Sequence, residues 1–314
     1  MGRSGRSYLR YARGNAARTE VISSMSFPPE AFLIGGQRCG TTNLAHLLSQ
    51  HPRITLSVPK EPAYFTIRWH LGAEWYRSRF SGAIDSVFLD ATTWYSVAPT
   101  KRFPPPPGTE SDPYGCVPER IHSVNPKAKF VYSLRDPVSR TYSAFLYYAQ
   151  ERNEKRPFLA AIMHDPFYLR GSDYLGQIKN YADFFSIDSF LFLKFEDMVQ
   201  NPKAALDRVF RFLELEPIQG TIAPAPSQQN PAFPYNALGR GLATVLRGRD
   251  RVDALRRAAQ GLGPRSLKPL VDKILRQPMP PMRTEDRSYI ANLFRDDRPC
   301  LERLTGLDLG SWQS

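Results

Sequence analysis

The run AFLIGGQRCGTTNLAHLLSQHP, residues 31–52, constrains the fold more than any other stretch of this chain. An apolar segment, Ala31 to Ile34, leads into Gly35 and Gly36, and Gly40 opens a segment that sets Leu44, Leu47 and Leu48 on one helical face. The pattern predicts a buried strand over EAFLIGG (30–36), a glycine turn, and a helix over 41–52 whose end Pro52 marks. Such a junction turns free backbone N–H groups and the positive end of a helix toward an anion. The turn has the outline GxxxxG followed by Thr-Thr. Thr41, however, stands where a nucleotide triphosphatase carries its lysine, and Arg38 brings a positive charge from inside the turn instead. Taken alone, a glycine turn before a helix can also be no more than a tight connection.

The rest of the chain repeats the alternation. SVFLDAT (86–92), AKFVYSLRDP (128–137) and SFLFLKFEDM (189–198) read as strands. VSRTYSAFLYYAQER, SDYLGQIKNYADFF and NPKAALDRVFRFLEL read as helices, the first capped by Asp136 with Pro137 at its first turn. Strands alternating with helices predict an α/β fold: a central, mostly parallel sheet flanked by helices, with ligands outside the carboxyl ends of its strands. GGQRCGTT, DATT and LRDP all fall at that edge. FPPPPGTESDPYG (103–115) and APAPSQQNPAFP (223–234) read as proline-rich surface loops.

Charge divides the chain. Of the net +12, residues 1–24 carry +4 (five arginines, one glutamate) and residues 239–287 carry +7 (twelve Lys/Arg, five Asp/Glu), so the remainder is +1. That distribution argues against a uniformly basic nucleic-acid binder. It describes a neutral catalytic body with basic flanks, which can meet an anionic cofactor, substrate or lipid surface or can be solvated helices. We expect a basic arm at 1–26 and one domain over 27–314 with a basic helical insertion at about 235–280. No apolar run approaches the ~20 residues of a membrane span. The N-terminus lacks the apolar core of a secretory signal, so a cytoplasmic location is expected, with peripheral membrane contact open to the arm. Three scattered cysteines (Cys39, Cys116, Cys300) form neither a disulfide framework nor a metal-ligand spacing.

Two further motifs carry chemistry. In LRDPVSRTYSAF, Arg135 at a strand end and Ser143 two turns into the next helix can hold a second phosphate, although a capped helix with an exposed arginine is the alternative. In VPKEPAYF (58–65), Glu61 lies in a loop beside Lys60 and can act as a general base near the phosphate loop. In order and spacing these motifs resemble the sulfotransferases that use 3′-phosphoadenosine 5′-phosphosulfate (PAPS), in particular the branch of the heparan sulfate sulfotransferases and their bacterial relatives. The resemblance runs from Ala31 to Trp312. It includes KEPAYF, EWYRSRF, YLGQIKNYADFF, FLKFEDMVQNPKAALDRVFRFLEL and LFRDDRPCLERLTGLDLGSW.

The resemblance implies a P-loop-type fold and transfer of a sulfuryl group from PAPS to a hydroxyl or amine of a carbohydrate or glycolipid, without a metal. It implies that Gly36, Gln37, Arg38, Cys39, Gly40, Thr41, Thr42 and Asn43 hold the 5′-phosphosulfate. Arg135 and Ser143 would hold the 3′-phosphate, and Glu61 would deprotonate the acceptor. The sequence departs from the family at three points. Arg38 replaces a common lysine and can act only electrostatically. Ala91 follows Asp90 where heparan enzymes often have lysine, so a heparan-like acceptor is not implied. No glycine-rich C-terminal phosphate loop is evident, and Arg276 is the one candidate near its place. Asp90 itself can orient a group of the site or serve the structure. Trp69, Trp75 and Trp94 can stack on sugars or pack in the core. Tyr142, Phe145 and Tyr148 have core spacing, Cys39 reads as a small packing residue, and His51 as the end of its helix. The alternatives are a P-loop kinase, which the missing lysine disfavours, and a non-catalytic polyanion- or membrane-binding module.

Overall fold

The computed structural model describes residues 30–82, 86–105, 112–151, 154–218, 222–223 and 281–312. The basic arm at 1–26, the insertion at 235–280, Arg276 and the second proline-rich loop beyond Ala223 lie outside the described residues.

Five strands, β1 (Ala31–Leu33), β2 (Ile54–Leu56), β3 (Val87–Asp90), β4 (Lys129–Leu134) and β5 (Phe190–Lys194), form one sheet in the order β2-β3-β1-β4-β5. Every neighbouring pair is parallel. The helices are α1 (Thr41–Leu48), α2 (Gly72–Arg77), α3 (Val117–Val124), α4 (Pro137–Glu151), α5 (Phe158–His164) and α6 (Phe167–Arg170). After them come α7 (Tyr174–Ala182), α8 (Phe195–Gln200), α9 (Pro202–Phe212), α10 (Thr284–Phe294) and α11 (Arg298–Thr305). This is the expected three-layer arrangement.

Three expectations change in detail. The first strand ends at Leu33, but Ile34 and Gly36 still donate to Val131 O and Ser133 O at 3.1 Å each, so the turn stays fastened to β4. FEDM continues as α8 rather than as strand, with Glu196 and Asp197 in its first turn, where the helix dipole favours carboxylates. His51 does not end α1, which stops at Leu48. It is buried on Phe210, its Nε2 is 3.0 Å from Glu216 O, and its Nδ1 accepts from Arg53 N at 3.1 Å.

The pleat of each strand sorts its side chains onto two faces. Phe32, Phe130, Tyr132 and Leu134 join Ile121, Tyr174 and Ile178 of α3 and α7 on one face. Ala31, Leu33 and Val131 meet Leu44 and Leu48 of α1 and Leu206 and Val209 of α9 on the other. A satellite core under α4 holds Tyr148, Phe158, Tyr168, Ile290 and Phe294. Tyr142 and Phe145 are packed against it, as their spacing predicts. Trp69 and Trp75 pack on the first core, Trp69 and Trp75 lying 5.0 and 6.4 Å from the Tyr64 ring. Arg102 forks onto Asp297 at 2.6 and 2.7 Å, which ties the C-terminal segment to the loop after β3.

The chain leaves β1 toward β2 and β3 on one side and leaves β4 toward β5 on the other. The crevice between β1 and β4 is therefore the topological switch point, where such sheets bind ligands. The Gly35–Gly40 turn and Arg135 both stand there.

Phe130 is fully buried on the central strand, with its ring 5.5 Å from Phe32 and 4.7 Å from Phe190. Phe130→Ala is expected to lower the unfolding free energy by about 3–5 kcal/mol in urea titrations followed by circular dichroism.

Candidate active site

Gly35 must be glycine because a Cβ there would stand 2.1 Å from Ser133 Oγ. From that point the chain reverses: Cys39 N donates to Gly36 O at 3.0 Å, and Arg38 and Gly40 both take left-handed backbone, with φ of 74° and 78°. Gly40 adopts this conformation freely, whereas Arg38 pays for it in steric strain, as residues held in functional loops do. Gly40 is also the N-cap of α1 and carries no capping side chain. The first-turn N–H groups of Thr41, Thr42 and Asn43 have no intrahelical acceptor and are left for an anion.

Arg38, Arg135 and Ser143, from separate sequence motifs, lie together. Arg38 Nε donates to Ser143 Oγ at 3.2 Å, and its guanidinium lies 5.2 Å from the Tyr147 ring centre. Arg135 Nη1 donates to Arg38 O at 3.1 Å and its guanidinium covers the Phe195 ring at 4.7 Å. Ser143 Oγ accepts from Arg38 Nε. A third cation was not anticipated. Arg140, 1% exposed, sits behind the loop and donates to Ser172 Oγ at 2.5 Å, to Tyr168 O, and to Gln37 O at 3.5 Å. Among the described residues, no carboxylate lies within ion-pair distance of Arg38, Arg135 or Arg140. Burial first, and then the Arg135 guanidinium, pull the Arg38 pKa below the ordinary arginine value. An anion placed among these groups favours the charged guanidinium and so opposes both effects.

Side chains from afar hold the loop. Tyr148 donates to Gln37 Oε1 at 2.9 Å, and Tyr174 OH lies 3.7 Å from Cys39 Sγ. Local patterns carry no signal for either contact, and Tyr148 was legible only as core. Cys39 is fully buried and packs as expected, and burial pushes its thiol up to about 11.

Glu61 lies in the loop after β2, against the turn that follows β3. Lys60 Nζ donates to its Oε1 at 2.6 Å and Thr93 Oγ1 to its Oε2 at 3.2 Å. No ion pair joins Glu61 to the arginine cluster. The link runs through the turn after β3, where Ser96 Oγ donates to Ile34 O at 2.6 Å. Asp90 is the anchor of that turn. It is fully buried and accepts from Tyr76 OH (2.6 Å), Tyr95 OH (2.9 Å), Thr92 Oγ1 (2.6 Å) and Thr92 N (3.0 Å). Burial raises its carboxyl to about 6 against those four donors. Asp90 therefore serves the structure and does not face a substrate.

A sequence model described as the sulfotransferase domain matches residues 28–225. Carbohydrate sulfotransferase 15 of Mus musculus is 25% identical over 248 residues, covering 60% of this chain and 44% of that protein. Heparan sulfate glucosamine 3-O-sulfotransferase 6 of Homo sapiens is 27% identical over 201 residues, covering 60% and 53%. The chain thus spans about half the length of the curated relatives it matches. A crystallised sulfotransferase from Alicyclobacillus acidocaldarius shares the fold, with a TM-score of 0.62 at 19% identity over 92% of this chain and 100% of that one.

The buried thiol gives a direct check on the loop. At pH 8, brief iodoacetamide treatment followed by peptide mass spectrometry is expected to modify the exposed Cys116 and spare Cys39, which stays protonated and covered until the protein unfolds.

Proposed function

The chain belongs to the sulfotransferase domain family, and on that footing we propose that it moves a sulfuryl group from PAPS to a hydroxyl of a carbohydrate, glycolipids included, by in-line displacement. The observation that carries this reading is the cluster of Arg38, Arg135 and Arg140 around a left-handed glycine loop, with no carboxylate partner among the described residues.

The donor set fits a ligand with two anionic ends. Arg38, the helix start at Thr41–Asn43 and the loop backbone suit the 5′-phosphosulfate. Arg135 and the hydroxyl of Ser143 suit the 3′-phosphate. PAPS, when bound, supplies an activated sulfuryl group whose transfer leaves charge on the 5′-phosphate. Arg38 stabilises that charge without giving up a proton, since an arginine does not do so in the neutral range. Glu61 accepts the proton of the acceptor hydroxyl. Lys60 and Thr93 hold both of its oxygens in place and leave further lone pairs for the acceptor. The carbohydrate acceptor is supported by the names of the relatives. The arm, with five arginines against one glutamate in residues 1–24, suits contact with an anionic membrane surface from the cytoplasmic side.

Glu61→Gln is expected to lower kcat for transfer of radiolabelled sulfate from PAPS by about a hundredfold or more. Binding of 3′-phosphoadenosine 5′-phosphate (PAP), followed calorimetrically in EDTA, should stay within about threefold, because Glu61 does not touch the arginine cluster. Full activity in Glu61→Gln would remove it as the base. Tight ATP binding that needs magnesium, with none for PAP, would point to a kinase instead.

A further inference from the structure

We propose that Tyr174 is the positioning residue that couples the two ends of the anion site, its hydroxyl setting the grip of Arg135 on the donor's 3′-phosphate. The proposal rests on the functional reading above. Both main-chain polar groups of Arg135 end on this one side chain: Tyr174 OH donates to Arg135 O at 2.8 Å and accepts from Arg135 N at 3.1 Å. The β4–β5 ladder pairs residues only as far as Leu134 with Lys194, so at Arg135 the tyrosine hydroxyl does what the next strand residue would otherwise do. The same oxygen lies 3.7 Å from Cys39 Sγ, inside the glycine loop. One atom therefore touches the strand end that carries Arg135 and the loop that carries Arg38.

The rest of the side chain is fixed. Tyr174 is fully buried in the first turn of α7, whose N-cap Asp173 accepts from Gly176 N and, at 2.6 Å, from Thr100 Oγ1. Trp312 packs 5.9 Å away and Tyr132 6.1 Å away, centre to centre. Above the ring lies Gly36: a Cβ there would meet Tyr174 Cε1 at 3.4 Å, Gly171 O at 3.2 Å and Cys39 Sγ at 3.0 Å. The hydroxyl has one proton, given to Arg135 O, and its accepting side is turned to Arg135 N and Cys39. Burial holds it protonated far into the alkaline range. With its bonding taken up in this way, Tyr174 reaches the ligand through Arg135 and not by its own contact.

Tyr174→Phe keeps the ring and its packing and deletes the hydroxyl alone. Dissociation constants for PAP and for adenosine 5′-monophosphate, which lacks the 3′-phosphate, separate the roles. The wild type is expected to prefer PAP. Tyr174→Phe should weaken PAP about tenfold, the order expected for leaving a buried backbone N–H unpaired, and leave the monophosphate within about twofold. The KM for PAPS should rise in step while kcat at saturating donor stays within about threefold. In an Arg135→Ala background, Tyr174→Phe should have no further effect on PAP. Equal weakening of both nucleotides, or of neither, overturns the proposal. A wild type with no preference for PAP overturns the 3′-phosphate reading, and this proposal with it. Amide exchange in the unmutated protein gives a second readout: protection at Arg135 N–H should rise with PAP and not with the monophosphate, and equal protection by the two overturns the coupling.

Discussion

Three guanidinium groups share one turn of backbone without a carboxylate among the described residues to balance them, and the rest of the structure is arranged to hold them there. Two unit charges ~5 Å apart at an effective dielectric of ~20 repel by roughly 3 kcal/mol. That cost has to be met by anchorage. Arg140 is fixed by Ser172, Tyr168 and Gln37, Arg135 by Arg38 O and the Phe195 ring, and Arg38 by Ser143 and Tyr147. Every one of these partners is neutral. They orient the cations without quenching them, so the field stays directed at the crevice. A site built in this way is pre-organised for an anion, and the ligand relieves a repulsion that the fold already sustains.

Topology explains why the cluster sits where it does. β1 and β4 are neighbours whose connections leave in opposite directions, so the space beyond their carboxyl ends is clear of crossing chain. Gly36 N on Ser133 O keeps the turn close to β4 just long enough for Arg38 and Arg135 to meet. Gly35 is the condition for that approach, since its missing Cβ makes room for Ser133.

The parts of this design that were legible in the sequence are the parts that are local. Strand, glycine turn and helix announce themselves in AFLIGGQRCGTTNLAHLL, and RDPVSRTYS places Arg135 and Ser143 at a strand end and on the following helix. β2 went unread because Ile54–Leu56 is a three-residue edge strand, too short for any period to show. Arg140 shares a motif with Arg135, but nothing local tells a buried arginine from an exposed one. Its burial depends on Tyr168 and Ser172, about thirty residues away. Tyr148, Tyr174 and Thr93 act through pairs separated by 32 to 135 residues, and folding alone brings those together. Asp90 shows the converse. An acidic residue at a strand end reads as a candidate for chemistry, and only its four hydrogen bonds identify it as an anchor.

In the proposed reading the arginine cluster forms a donor rim and Glu61 a base rim, and the two rest on different elements that are hydrogen-bonded to one another. The donor rim is carried by β1, β4, α4 and α7, with Tyr174 and Arg140 beneath it. The base rim is carried by the turn after β3, where Thr92 Oγ1 accepts from Ala63 N and donates to Asp90, and Thr93 Oγ1 donates to Glu61 Oε2. The two supports are joined where Ser96 Oγ donates to Ile34 O, where Tyr181 OH donates to Tyr95 O, and where Gln177 bonds both main-chain groups of Ala98. The segment after Glu61, where Arg68 donates to Pro62 O at 2.6 Å and its guanidinium lies 5.8 Å from the Trp75 ring centre, supplies none of the groups that hold the arginine cluster, and in that reading changes there can reshape acceptor contacts. In the same reading, donor binding depends on charges that must not move, and acceptor selection on a rim that can be rebuilt around Glu61.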